Sequence, residues 1–94
     1  MPITRINHFK AAAGKERALE DFLAGIISVV IASPGCLSVE LLASTEAASR
    51  FAIVEVWESV EAHQSAARQI APDRIAAVMP LLAGKPQGEY YRRC

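Results

Sequence analysis

Cysteine is nearly absent: Cys36 and Cys94 are the only two in 94 residues, and no paired spacing links them. Neither a disulfide framework nor a zinc site is signalled. An excess charge of either sign is missing too, with ten Lys plus Arg against ten Asp plus Glu. Nucleic acids are held chiefly by clustered Lys and Arg, so none is expected as a partner. Long hydrophobic runs are also lacking. Ile26 to Ala32 is apolar apart from Ser28, but it is too short to span a bilayer. The opening Met-Pro-Ile-Thr-Arg has no apolar leader core, and a cytoplasmic protein without membrane contact is the expectation. No phosphate-cradling glycine loop, nucleophile elbow or metal-ligand spacing occurs, which leaves metal, flavin and nicotinamide sites unsupported.

Apolar side chains are plentiful. They make up 52% of the chain, at the upper end of the usual range. A length of 94 residues suits one domain, 1–94, with a single two-layer core. In so small a domain, part of that surface needs another copy to cover it.

The patterning is that of alternating strands and helices. Ile3 to Lys10 reads as a strand with Ile3, Arg5, Asn7 and Phe9 on one face and Thr4, Ile6, His8 and Lys10 on the other. Gly14 is the expected N-cap of a helix over Lys15 to Ala32, whose apolar stripe is Leu19, Phe22, Leu23, Ile26, Ile27 and Val30. Arg17 and Asp21 can pair on its wet face. Ser33-Pro34-Gly35 ends that helix, since Pro34 disfavours helical backbone at Ser33 and Gly35 supplies a positive φ. Cys36 to Ala43 then alternates, with Leu37, Val39 and Leu41 on one face. Phe51 to Glu58 is a third strand, with Phe51, Ile53, Glu55 and Trp57 on one face and Ala52, Val54, Val56 and Glu58 on the other. Ser59 caps a short helix to Gln69, and Pro72 with Asp73 opens another that Pro80 divides. Gln87 to Arg93 closes the chain as a strand holding Tyr90 and Tyr91. The order predicts an α+β, ferredoxin-like β-α-β-β-α-β fold, with a four-stranded antiparallel sheet and helices on one face. Its bare face is suited to a two-fold homodimer.

The segments Ser33-Pro34-Gly35-Cys36-Leu37, Phe51-Ala52-Ile53-Val54-Glu55-Val56-Trp57-Glu58-Ser59 and Glu61-Ala62-His63 resemble the antibiotic biosynthesis monooxygenase (ABM) domain. The strand leading to Ala13-Gly14-Lys15 and the late Pro80-Leu81-Leu82 fit the same pattern. The resemblance implies a dimeric α/β barrel with a cavity between sheet and helices in each subunit. It also implies a range of activities: cofactor-free oxygenation of anthrones or quinols, haem degradation, and isomerisation of a phosphorylated signal.

Within that frame, the sole tryptophan, Trp57, either walls the cavity, with its N–H as a donor, or fills the core. Asn7 sits among apolar neighbours on its strand face. By its spacing to Gly14 it resembles the pocket asparagine of haem-degrading members. It would hold a carbonyl or dioxygen, or else bond neighbouring backbone. His63 is a candidate base or a half-buried structural histidine. The family's usual histidine lies nine residues after the tryptophan, where this chain has Ala66. No haem-ligating counterpart is evident there. Arg5 and Glu55, sharing faces with Asn7 and Trp57, either orient a polar substrate or pair with each other. Phe22 and Ile53 complete the substrate-binding set. The expected chemistry is oxidation of a small aromatic or quinone-like ligand by dioxygen, without metal or organic cofactor. Asn7, Trp57 and His63 would be the catalytic residues. Two alternatives use the same cavity: a non-catalytic, ligand-binding or stress-related dimer, and an isomerase of a phosphorylated ketone with Arg5 on the anion.

Overall fold

A computed structural model describes residues 1–94, and its elements run in the order β-α-β-β-α-α-β. Strand β1 is Ile3–Lys10, helix α1 Glu16–Ile31, β2 Cys36–Ala43 and β3 Arg50–Trp57. Helices α2, Val60–Arg68, and α3, Pro72–Val78, follow, then a 3-10 turn at Met79–Leu81 and β4, Gln87–Tyr91. The sheet has the ferredoxin-like order β2-β3-β1-β4, with every neighbouring pair antiparallel.

Period-two alternation fixes which side of the sheet meets the helices. In β3 the residues Phe51, Ile53, Glu55 and Trp57 are buried, whereas Ala52, Val54 and Val56 between them are half-buried on the bare face. Leu19 and Leu23 of α1 drop onto that inner face and form the core with Ala11, Phe51 and Ile53. Phe9, Phe22, Val39, Leu41 and Val78 pack around them. The outer face, with Ile6, Val54 and Val56 near its centre, carries no helix.

Cross-strand register sets the site. Arg5 stands opposite Glu55 on one side and Tyr90 on the other, and Asn7 stands between Ile53 and Gly88. Two adjacent rows of the inner face therefore hold Arg5, Asn7, Glu55 and Tyr90, and Trp57 lies one row further on, at the end of β3.

Local signals behave as their chemistry requires. Ser59 is extended, and its hydroxyl accepts from the Ala62 N–H at 3.1 Å, which starts α2. Gly35 has φ +86°, and a side chain there would come within 2.7 Å of Ala62 Cβ. The absence of a side chain thus lets the β2 entry press against the start of α2. Pro80 ends α3 at Val78 and begins the 3-10 turn. Arg17 Nε meets Asp21 Oδ1 at 3.4 Å on the exposed side of α1.

Three details differ from the sequence pattern. Lys15, not Gly14, occupies the α1 N-cap, and Gly14 instead makes the preceding turn with φ +79°. A register shift between Cys36 and Ser38 takes Leu37 out of the alternation and leaves it 50% exposed. The last strand stops at Tyr91, where pairing with Thr4 of β1 runs out.

Candidate functional site

Between the inner face of the sheet and helices α1, α2 and α3 lies a cavity of about 510 Å³. Arg5, Asn7, Phe22, Ile53, Glu55, Trp57 and His63 all line it. Arg5, Asn7, Glu55 and His63 gather at its sheet end, and the α1 and α3 walls are apolar except for Arg74.

Glu55 is the centre of the polar cluster and is 5% exposed. Its Oε1 accepts from Trp57 Nε1 at 2.8 Å and its Oε2 from Asn7 Nδ2 at 3.2 Å. Asn7 Oδ1 in turn accepts from Arg5 Nε at 3.1 Å. The direction of donation is therefore fixed along the chain Arg5 to Asn7 to Glu55, and position 55 must accept on both of its oxygens. An ionised carboxylate does this, whereas a carboxamide would set one donor against another. No buried side-chain polar atom is left without a partner.

Burial is the main influence on Glu55 and raises its pKa above the ordinary 4.5, while the Trp57 hydrogen bond, the Arg5 charge and the Asn7 hydrogen bond pull it back. His63 is shifted the other way, below 6.5, by burial first and then by the Arg5 charge. The imidazole is thus neutral at pH 7.

His63 projects from α2 into the same cluster. Its Nδ1 lies 2.7 Å from Tyr90 Oη and its Nε2 3.9 Å from Glu55 Oε1. With Tyr90 donating to Nδ1, the imidazole proton rests on Nε2 and faces the carboxylate. The ring stands edge-on between Trp57 and Tyr90, at centroid distances of 5.4 and 5.3 Å. The Arg5 guanidinium stacks 4.5 Å over the Tyr90 ring.

Several sequence expectations change on contact with this geometry. Trp57 is at once core and wall: it borders the cavity yet is 1% exposed, and its N–H is taken by Glu55 rather than free for a ligand. Arg5 hydrogen-bonds Asn7, so no direct pair with Glu55 forms a rim. Asn7 is bonded at both ends, but its amide carries two donors and only one is used. His63 is half-buried, as one of its sequence readings had it, with its side chain 14% exposed and lining the cavity. His8 is exposed on the outer face.

Sequence reasoning left one contributor unresolved and missed another. Tyr90 could not be told from Tyr91 until pairing with β1 placed it beside Arg5 on the inner face. Gly88 carries no chemistry, yet a side chain there would strike Asn7 Oδ1 and the Arg5 guanidinium. The bare strand position makes room for both.

Ala66 and Gln69 of the α2 region border this cavity and also a smaller hollow of about 250 Å³ on an adjoining face of the helix, formed with Gly35, Glu58 and Ala62. No group of three or more His, Cys, Asp or Glu side chains converges to hold a metal ion. No helix is long and apolar enough to cross a membrane.

The fold is widely shared. The structure of SnoaB, a cofactor-independent oxygenase from Streptomyces nogalater, superposes with a TM-score of 0.84 over 98% of this chain and 92% of that one, at 18% identity. A Pseudomonas aeruginosa protein superposes at 0.86 over 99% and 95%, at 25% identity. In sequence, a mycobilin-producing heme oxygenase of Mycobacterium tuberculosis is 37% identical over 65 residues, 69% of this chain. The match spans 62% of the length of that relative. The family model for antibiotic biosynthesis monooxygenase matches residues 2–77, most of the chain, and with it the fold, the cavity and the Glu55-Val56-Trp57 strand end come under one description: this protein belongs to the antibiotic biosynthesis monooxygenase family.

Proposed function

We propose that this protein is a monooxygenase that oxidises a small aromatic substrate, a quinol, phenol or anthrone, with dioxygen and without a metal or organic cofactor. The observation that supports this reading best is Glu55: an ionisable carboxylate at the floor of an apolar cavity, oriented by Trp57 and Asn7 and flanked by a neutral imidazole. Such a group can take a proton from a ring hydroxyl or from an acidic methylene beside a carbonyl. Its raised pKa brings it closer to the proton it must remove.

The remaining steps belong to the substrate. For an anthrone, the carbanion left by deprotonation passes one electron to dioxygen, and the ring radical and superoxide combine to a hydroperoxide. Loss of water then leaves a carbonyl. One oxygen atom enters the product and the other leaves as water with the two methylene hydrogens. The protein supplies a dry, shaped space and fixed dipoles. Asn7 offers its unused N–H to the substrate oxygen that gains charge. Nε2–H of His63, 3.9 Å from Glu55 Oε1, favours the ionised carboxylate that accepts the proton.

Haem, the substrate named for the Mycobacterium tuberculosis relative, does not suit these residues. An axial ligand needs a ring nitrogen aimed into the cavity. Both nitrogens of His63 face protein groups, and position 66 holds a methyl group. No step through haem iron is derived.

We further propose that residues 1–94 act as one domain in a cytoplasmic homodimer, the second copy covering Ile6, Val54 and Val56 on the outer face.

Oxygen uptake over a panel of quinols, phenols and anthrones tests the assignment. Glu55→Gln should lower uptake by on the order of 10²-fold or more, with the fold checked by circular dichroism. Silence of the wild type across the panel sinks the oxygenase reading. A retained affinity for the same compounds would then leave a ligand-binding module.

A further inference from the structure

The hydrogen-bonded polar cluster of the cavity sits on the sheet, and the α1 and α3 side of its lining is mostly apolar, with Ser33, Gln69 and Arg74 the polar exceptions. Val29 of α1, Ile70 before α3, Ile75 of α3 and Met79 after it all line the cavity, and they are 43, 38, 53 and 50% exposed. They make up four of the nine large hydrophobic side chains exposed on the whole chain, gathered round one mouth. Clustered exposure of this kind marks a contact site more often than chance. The charged residue among them, Arg74, is exposed, and an arginine there can keep its head in water while its stem lies along an apolar rim. A compact ring seated on Glu55 and Asn7 would satisfy the floor and leave this collar unused.

We propose, building on the function above, that the ligand is an amphiphile: an oxygen-bearing ring that enters first and rests on Glu55, followed by a flexible aliphatic tail that leaves between α1 and α3 through the collar of Val29, Ile70, Ile75 and Met79. The orientation follows from solvation. Turning the ligand round would bury its hydroxyls among apolar walls and leave its tail against an ionised carboxylate, both unfavourable.

The experiment is an anaerobic titration with hydroquinones carrying progressively longer n-alkyl chains, each below its critical micelle concentration. Trp57, the sole tryptophan, lies at the floor, so its fluorescence reports seating of the ring. Affinity should rise about fourfold per methylene until the tail clears the collar, the factor given by about 0.8 kcal/mol for each buried methylene. Ile75→Gln, at an exposed helical position, should cut the ratio of longest-tailed to tail-less affinity about tenfold, by removing one apolar wall of the tail path. An affinity independent of chain length overturns the proposal. So does equal binding, with an equal Trp57 response, by alkyl glucosides that have no ring. Because binding is read without oxygen, a tail-dependent affinity combined with silence of the same compounds in the aerobic uptake assay refutes only the oxygenase. Aerobic turnover of tail-less quinols combined with a flat binding series refutes only the tail.

Discussion

Replacing Gly88 by alanine pits two effects of opposite sign against each other. In an open strand the change is favourable, because glycine inside a strand costs roughly 0.5–1 kcal/mol relative to alanine. Here the new Cβ would fall 2.6 Å from Arg5 Cζ and would also overlap Arg5 Nη2 and Asn7 Oδ1. The ends of both side chains must shift. Because the bond from Arg5 to Asn7 and that from Asn7 to Glu55 are made by those same ends, the shift breaks or lengthens them. A hydrogen bond to a charged group contributes about 1.5–3 kcal/mol, and water cannot easily replace it at a carboxylate this buried. The contact effect wins, for a net loss of roughly 1–3 kcal/mol. In a domain of this size that lowers Tm by roughly 5–20 °C. Thermal unfolding followed by circular dichroism reads it, with Gly25→Ala as the matched control. Gly25 lies inside α1, and a methyl group added there would meet nothing within 4 Å, so that variant should gain about 1 kcal/mol. A Gly88→Ala protein at least as stable as wild type would refute the packed donor chain. Carbon-13 NMR offers a second readout, because losing Asn7 and Arg5 should move the Glu55 titration further upward.

Other outcomes follow from the same cluster. Trp57→Phe keeps a ring but removes the donor to Glu55 Oε1, and should cost about 1.5–3 kcal/mol in urea unfolding. The pH dependence of stability has two parts with opposite signs. Glu55, raised in the folded state, favours folding most below its ordinary 4.5, and that contribution is lost as pH climbs through the folded value. His63, lowered in the folded state, contributes fully above 6.5 and loses its contribution as pH falls through the folded value. Urea midpoints across pH should therefore lose their acid-side fall below 6.5 in His63→Gln while keeping the Glu55 component. Haemin should give no ligand-type Soret shift with the wild type but a clear one with Ala66→His, which brings an imidazole to the cavity wall.

Much of the fold is legible in the sequence because its determinants are local. The alternation in β1 and β3, the stripe of α1, the Ser59 cap and the Pro34-Gly35 break each act within a few residues, and all recur in the structure. Parity alone likewise assigns Arg5 and Asn7 to one face of β1, and Glu55 and Trp57 to one face of β3. What parity does not reach is partnership. Whether Arg5 bonds Glu55 or Asn7 depends on a cross-strand register and on room above Gly88, and neither leaves a mark on neighbouring sequence. The bulge at Cys36 to Ser38 is a backbone event with no side-chain signature. Ile75 and Met79 carry no distinguishing signal in the sequence, and only the placement of α3 and the turn after it at the cavity edge makes them a rim.

The hollows on adjoining faces of α2 share Ala66 and Gln69, so a methyl group and one amide stand where the two meet. Were the two hollows to join, the passage would run past Ala66 and Gln69, away from the greasy front entrance. Bulk at residue 66 would brick it up.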